Sequence, residues 1–208
     1  MWVKIIGLAL IFALSLATEP AFAHHVMGGG MPVTFMDGLL SGLGHPIIGL
    51  DHLAAVIAIG CLAATERRGE RLIAGYVIAM MIGVAAHIGE ATVNGAEYFV
   101  AVSVILLGVV LFRREPPRLD IAIALFAFAG LVHGYALGES IAGAERASLY
   151  AYFIGLAAIQ VAVALAAMYG ARMLAARTGG NAAVIRVLGA VVVGIGLAVL
   201  VQQIVAAA

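Results

Sequence analysis

Six long runs of apolar residues, at 45–64, 72–93, 97–112, 119–138, 148–171 and 183–206, fill most of the chain beyond residue 44. Short polar interruptions separate them: Glu66-Arg67-Arg68-Gly69-Glu70-Arg71, Asn94-Gly95, and residues 113–117, 139–146 and 172–181. Each run approaches the ~17–25 residues that a helix needs to cross the hydrocarbon core of a bilayer, the third at the short end. The pattern predicts an all-α membrane protein, a compact bundle of six transmembrane helices with short loops and no room for a soluble domain. A further apolar stretch, 5–17, follows Lys4 and precedes Pro20 and Ala21-Phe22-Ala23. A basic start, an apolar middle and a small-x-small box read as a signal peptide. Pro20 before the box favours cleavage after Ala23 over an uncleaved anchor. Three regions are expected: a signal peptide at 1–23, a Gly-rich external segment at 24–44, and the six-helix domain at 45–208.

Composition strengthens the membrane reading. Hydrophobic residues make up 64% of the chain and charged residues 11%, with a mean hydropathy of +1.15. A soluble domain carries about a quarter charged residues, so too few polar groups are present here to cover a water-soluble fold. The 26 glycines suit close approach of membrane helices. Eleven basic residues balance eleven acidic ones, and no basic stripe points to nucleic acid. Cys61, the single cysteine, excludes an intramolecular disulfide and reads as a small packing residue. Nine of the eleven basic residues (Arg67, Arg68, Arg71, Arg113, Arg114, Arg118, Arg172, Arg177 and Arg186) border odd-numbered spans on their far side. The excess of positive charge in cytoplasmic loops then places both mature termini outside, in a bacterial inner membrane. A cleaved signal peptide independently gives the same orientation.

Ionisable side chains within spans cost roughly 2.5–3.5 kcal/mol each at the membrane centre, so their positions carry information. Span one opens with His45, Pro46, Asp51 and His52, the proline suiting a first helical turn. His45 and His52, seven apart, share a face, with His52 about 10 Å below the outer mouth. His87 and Glu90 are three apart, on one face near the outer end of span two; Glu97 begins span three; His133 and Glu139 close span four. All fall in the outer half of the bundle, a sorting by depth that random polar decoration would not produce. Imidazole and carboxylate at such spacings suit Ni, Co, Zn, Cu(II) or Fe(II), and Asp51 or Glu90 could instead orient a histidine. The plainer readings are a histidine bonded to a backbone carbonyl for His87 or His133, and a solvated carboxylate for Glu97 or Glu139. Gln160, mid-span, reads as an interhelical hydrogen-bond donor. Cleavage after Ala23 would expose His24-His25, a chelating terminus for Ni(II) or Cu(II), or simply a linker. No signature of haem, quinone or another permanently bound cofactor stands out.

The stretch His45-Pro46-Ile47-Ile48-Gly49-Leu50-Asp51-His52 resembles the H-P-x-x-G-x-D-H signature of the HupE/UreJ family of nickel and cobalt permeases. Glu97 with 102–108 is similar to that family's glutamate-led third span. Leu131-Val132-His133-Gly134-Tyr135-Ala136-Leu137-Gly138-Glu139 is similar to its F-H-G-H-A-H-G-x-E stretch, with Tyr135 and Leu137 where many members have histidine. The resemblance implies a signal peptide, about six spans, and roles in transport for His45, Asp51, His52, His133 and Glu139. It implies import of a divalent metal, nickel first and cobalt second, as the transported partner rather than a resident cofactor. No nucleotide-binding loop occurs, which argues against ATP coupling within the chain. Two other functions fit the same residues: an intramembrane zinc hydrolase, with Ser103 or Ser140 nearby, and an accessory protein for metalloenzyme assembly. No H-E-x-x-H supports the first.

Overall fold

The structure, a computed structural model, describes residues 31–113, 115–179 and 183–207. The expected signal peptide, His24 and His25 lie outside the described residues. The described chain is all-helical: α1 (Phe35–Ile48), α2 (Leu50–Ala63), α3 (Gly69–Ile88), α4 (Ala96–Phe112), α5 (Leu119–Gly138), α6 (Arg146–Arg177) and α7 (Ala183–Ala206), with a 3-10 turn at Glu139–Ile141. Among the described residues, four helices are long and apolar enough to cross a membrane: α3, α5 with its 3-10 extension, α6 and α7. The α1–α2 pair would make a fifth if it is one bent span, and α4, at 17 residues, is shorter. Large apolar side chains such as Ile78, Ile82, Leu106, Ile121 and Ile154 face outward from the bundle. That inside-out pattern is what a hydrocarbon solvent permits.

The expected first span, 45–64, is two helices rather than one. They meet at Gly49 with their axes bent by 79°. Pro46 lies inside the last turn of α1 instead of opening a helix. A proline there removes the hydrogen bond to the carbonyl four residues back and weakens the helix just before its end. Gly49 then adopts an extended conformation (φ −74°, ψ 106°), its N–H donating to the His45 carbonyl at 3.1 Å. Its own carbonyl accepts from the Leu53 N–H at 2.9 Å, starting α2. Helix also begins earlier than expected, at Phe35. Thr34 caps it: the Asp37 N–H donates to Thr34 Oγ1 at 3.1 Å, and the Thr34 N–H to Asp37 Oδ2 at 2.9 Å. This reciprocal pair satisfies two amides that a helix start leaves open.

Around α2, which buries eleven of its fourteen residues, the other helices pack as pairs. α3 lies against α5, α1 and then α2 against α6, and α4 against α7. Glycines set these approaches. A methyl group at Gly134 would collide with the Met80 carbonyl, and one at Gly60 with the Ala164 carbonyl. At the end where α2 finishes and α3 begins, here called the lower end, Arg172 ties α6 to the connecting loop. Its Nη1 donates to Glu70 Oε1 and its Nη2 to the Glu66 carbonyl, both at 2.9 Å. Tyr169 donates to the same Glu70 oxygen at 3.3 Å. The upper end holds the ionisable residues considered next.

The packing yields a matched pair of expectations. At Gly108 an added Cβ would sit 2.6 Å from the Val193 nitrogen and 2.9 Å from the Gly189 carbonyl oxygen, whereas Gly75 has nothing within 4 Å. Gly108→Val is expected to destabilise the bundle by about 1–3 kcal/mol, and Gly75→Ala to stabilise it by about 0.5–1 kcal/mol. Heating detergent-solubilised protein with a thiol-reactive dye measures both, because buried Cys61 reacts only on unfolding. Equal melting temperatures for the two variants would contradict the α4–α7 contact.

Candidate metal centre

The break at Gly49 builds the site. In one unbroken helix, His45 and His52 would stand two turns apart, about 10 Å along the axis. The bend brings their rings to a centroid distance of 6.0 Å, edge to face at 68°. Glycine leaves room at the corner: a Cβ there would lie 2.8 Å from His52 Cδ2 and 3.1 Å from Asp51 Oδ1, so those side chains would have to shift. Asp51 and His52 occupy the first turn of α2, and both are buried, as is His45. The positive end of the α2 dipole favours the negative charge on Asp51 at that position.

His52 then meets α5. Its Nδ1 lies 2.7 Å from Nδ1 of His133, with the rings 4.9 Å apart. His133 is fully buried, and its Nε2 lies 2.9 Å from Ser103 Oγ on α4. Ser103 Oγ also lies 2.8 Å from the Val100 carbonyl, to which it donates. A hydroxyl has one hydrogen and a carbonyl has none, so assigning the serine hydrogen to the Val100 carbonyl sets the protons along the whole chain by inference. Ser103 gives its hydrogen to Val100; Nε2–H of His133 donates to Ser103; Nδ1–H of His52 donates to the bare Nδ1 of His133. With both imidazoles neutral, His52 is left with its lone pair on Nε2. A histidine whose other ring nitrogen is engaged as a donor is the usual form of a metal-ligating imidazole. The geometry therefore gives the two histidines different chemistry: Nε2 of His52 can bind a cation, while both nitrogens of His133 are engaged in holding it.

The carboxylates stand in graded positions. Asp51 acts electrostatically on both His133 and Glu97, and Glu97, half-buried in the first turn of α4, also feels His52 and Glu139. Glu139 is exposed in the 3-10 turn after α5. Glu90 departs from expectation. The helix ends at Ile88, and Glu90 lies beyond it, exposed, with a left-handed φ of 61°. It shares no helical face with His87. His87 packs its ring 4.7 Å from that of Tyr135 and its Cβ against Gly138. Its Nδ1 is buried without a hydrogen-bond partner among the described residues. Tyr135, which replaces an expected histidine, accepts from the Val93 N–H at 3.0 Å and donates to the Ala91 carbonyl at 2.7 Å, pinning the α3–α4 loop.

The structure thus gathers His45, Asp51, His52 and His133, with Glu97 and Glu139 in electrostatic reach, and sets Glu90 apart. Among the described residues, no three His, Cys, Asp or Glu side chains are arranged as a ready-formed cage for an ion. The sequence offered Ser103 only as a hydroxyl for the hydrolase reading; its bond to the Val100 carbonyl, three residues back, turns it to its own helix.

The family model described as HupE / UreJ protein matches residues 12–199. The Protein HupE of Rhizobium leguminosarum bv. viciae is 28% identical over 135 residues, covering 63% of this chain and 67% of that protein. No solved structure matches.

Two outcomes follow from the proton assignment. Nitrogen-15 spectra of histidine-labelled protein, free of metal and above the titration range of imidazole, should show His52 as the Nδ1–H tautomer and His133 as the Nε2–H tautomer. Two identical tautomers would contradict the chain. Ser103→Ala strands a buried imidazole N–H, so it should lower stability by about 1–3 kcal/mol in the same thermal assay.

Proposed function

The chain belongs to the HupE / UreJ family, and we propose that it is a secondary permease that imports a divalent transition metal, nickel first and cobalt second. Taking α1–α2 as one bent span and α4 as another gives six crossings. Arg67, Arg68, Arg71, Arg113, Arg118, Arg172 and Arg177 border the lower end, so the positive-inside tendency puts that end in the cytoplasm and the histidines toward the exterior. Both mature termini then lie outside an inner membrane, with a cleaved signal peptide preceding the bundle.

One observation carries the reading: buried imidazoles and a buried carboxylate from α1, α2 and α5 converge at the corner of a broken helix. Broken helices within a membrane are tolerated where they line a cargo path, and transporters use such breaks as ion sites. In this proposal Nε2 of His52 and the Asp51 carboxylate take the ion. Glu97 and His45 complete its surroundings, and Glu139 and His87 stand at the approach. His133 and Ser103 orient His52. Mixed imidazole and carboxylate ligands bind a first-row dication firmly enough to select it and weakly enough to release it, as conduction requires.

The hydrolase reading draws on the Ser103–His133 contact, since a hydroxyl beside an imidazole is the arrangement of a nucleophile and its base. Here, however, the hydroxyl hydrogen lies on the Val100 carbonyl rather than on the imidazole. Ser103 also sits mid-helix, where backbone amides are engaged in the helix and are not free to stabilise an oxyanion. The permease reading uses every buried member of the cluster; the hydrolase reading does not.

Uptake of radiolabelled nickel and cobalt into cells lacking their own importers tests it. Asp51→Asn and His52→Ala should fall to background, while His133→Asn and Ser103→Ala should lose about 10- to 100-fold, the range for groups that orient a ligand. Wild-type accumulation in Asp51→Asn and His52→Ala would reject the proposed roles.

A further inference from the structure

The loop between α3 and α4 takes no part in the centre just described, and a single side chain fastens it. Residues 91–95 are all exposed. Among the described residues, their hydrogen bonds to any helix other than the two they join both end on the Tyr135 hydroxyl of α5. It accepts from the Val93 N–H at 3.0 Å and donates to the Ala91 carbonyl at 2.7 Å. Two residues in the left-handed region bound the loop, Glu90 at φ 61° and Gly95 at φ 70°. Glycine adopts that conformation freely, whereas Glu90 is a residue with a Cβ held in one it disfavours. A short exposed segment with few contacts, set between two such turns, can open locally while the helices stay folded.

The loop leaves α3 just beyond His87, whose ring packs 4.7 Å from that of Tyr135. It enters α4 just before Glu97, the half-buried carboxylate in electrostatic reach of His52 and Asp51. Tyr135 itself follows His133 by two residues, toward the upper end of α5. Where Tyr135 fastens it, the loop therefore lies on the upper side of the α5 segment that carries His133, and it joins the His87 side of the bundle to the Glu97 side. We propose that residues 90–95 form a strap over the upper mouth of the centre, hinged at Glu90 and Gly95 and latched by the Tyr135 hydroxyl. The latch releases each time a divalent cation enters or leaves, so the strap rests on the permease reading for its cargo. Release is cheap in polar groups: the Val93 N–H and the Ala91 carbonyl sit in an exposed loop and pass to water. The Tyr135 hydroxyl, engaged with the loop as both donor and acceptor, is a latch and not a ligand.

A static staple is the competing role, and the two differ in kinetics. A strap that does not touch the ion gates both directions equally: loosening it speeds entry and exit by one factor and leaves the affinity unchanged. Tyr135→Phe keeps the ring beside His87 and removes the latch. Gly95→Ala keeps the latch and strains the closed hinge. Both variants are purified in detergent, their melting temperatures are measured, and binding and release of nickel chloride are followed by stopped flow with a nickel-sensitive dye. Tyr135→Phe should raise the association and dissociation rate constants together by about tenfold, the scale of one or two ordinary hydrogen bonds, with equilibrium affinity within about twofold of wild type. Gly95→Ala should raise both by about fivefold. Wild-type rates in either folded variant overturn the strap and leave the permease reading intact; should one variant fail to fold, the other decides. An altered affinity with one rate constant moved alone also overturns it, because Tyr135 would then act on the ion's surroundings. If the wild-type protein binds and moves neither nickel nor cobalt, the permease reading fails and the strap with it.

Discussion

A buried ring nitrogen is costly to leave unmet, and in this bundle His133, with both of its nitrogens engaged, links three helices. The chain of hydrogen bonds from the Val100 carbonyl through Ser103 and His133 to His52 runs in one direction because the carbonyl at its end can only accept. The consequence reaches the functional site directly. In the proposed permease, His52 takes the tautomer that leaves Nε2 toward the ion, and His133, which in the sequence looks like an equal ligand, is its support. Remove the serine hydroxyl and the direction of the chain is no longer fixed.

That chain can form only because helices come unusually close and one of them is broken. Glycines at the α3–α5 contact bring backbone onto backbone, which sets the position of His133 relative to α2. Without a hydrophobic driving force between helices in lipid, such close packing is what holds a membrane bundle together. The break at Gly49 serves the opposite end. It releases the first turn of α2 to present Asp51 and His52 while α1 swings His45 back over them. Pro46 and Gly49 act together, the proline by withdrawing a hydrogen bond and the glycine by leaving space for two functional side chains. Arg172, clamping the opposite end to the α2–α3 loop, keeps that part of α2 fixed.

Much of this could be read from the chain itself. Apolar run lengths placed the five helices after residue 64 and gave α4, α5 and α7 to within a residue, though α3 ends at Ile88 rather than at 93 and α6 runs on to Arg177 rather than to 171; the cost of charge in a membrane singled out His45, Asp51, His52, His87, Glu90, Glu97, His133 and Glu139. The break was not legible. Pro46 fits the first turn of a helix as well as it fits the last turn of another, and only the helix beginning at Phe35 decides between them. A periodicity argument also placed Glu90 on the face of His87, but it assumed the helix continued; Gly89 ends it and Glu90 turns left-handed. Nor could spacing suggest the supporting role proposed for His133. That distinction lives in Ser103 and Val100, two residues whose relevance depends on a proton count rather than on sequence distance. Gln160 was visible as a polar residue at mid-span, but its bond to Tyr76 is a property of packing alone.

The account stands or falls on which imidazole meets the ion. X-ray absorption at the nickel edge of metal-loaded, purified protein reads this directly through the multiple scattering of bound imidazole rings. A nitrogen and oxygen shell without sulfur is predicted, with the imidazole count falling by one in His52→Ala and unchanged in His133→Asn at matched occupancy. An unchanged count in His52→Ala, or its loss in His133→Asn, would contradict the assignment of ligand and support.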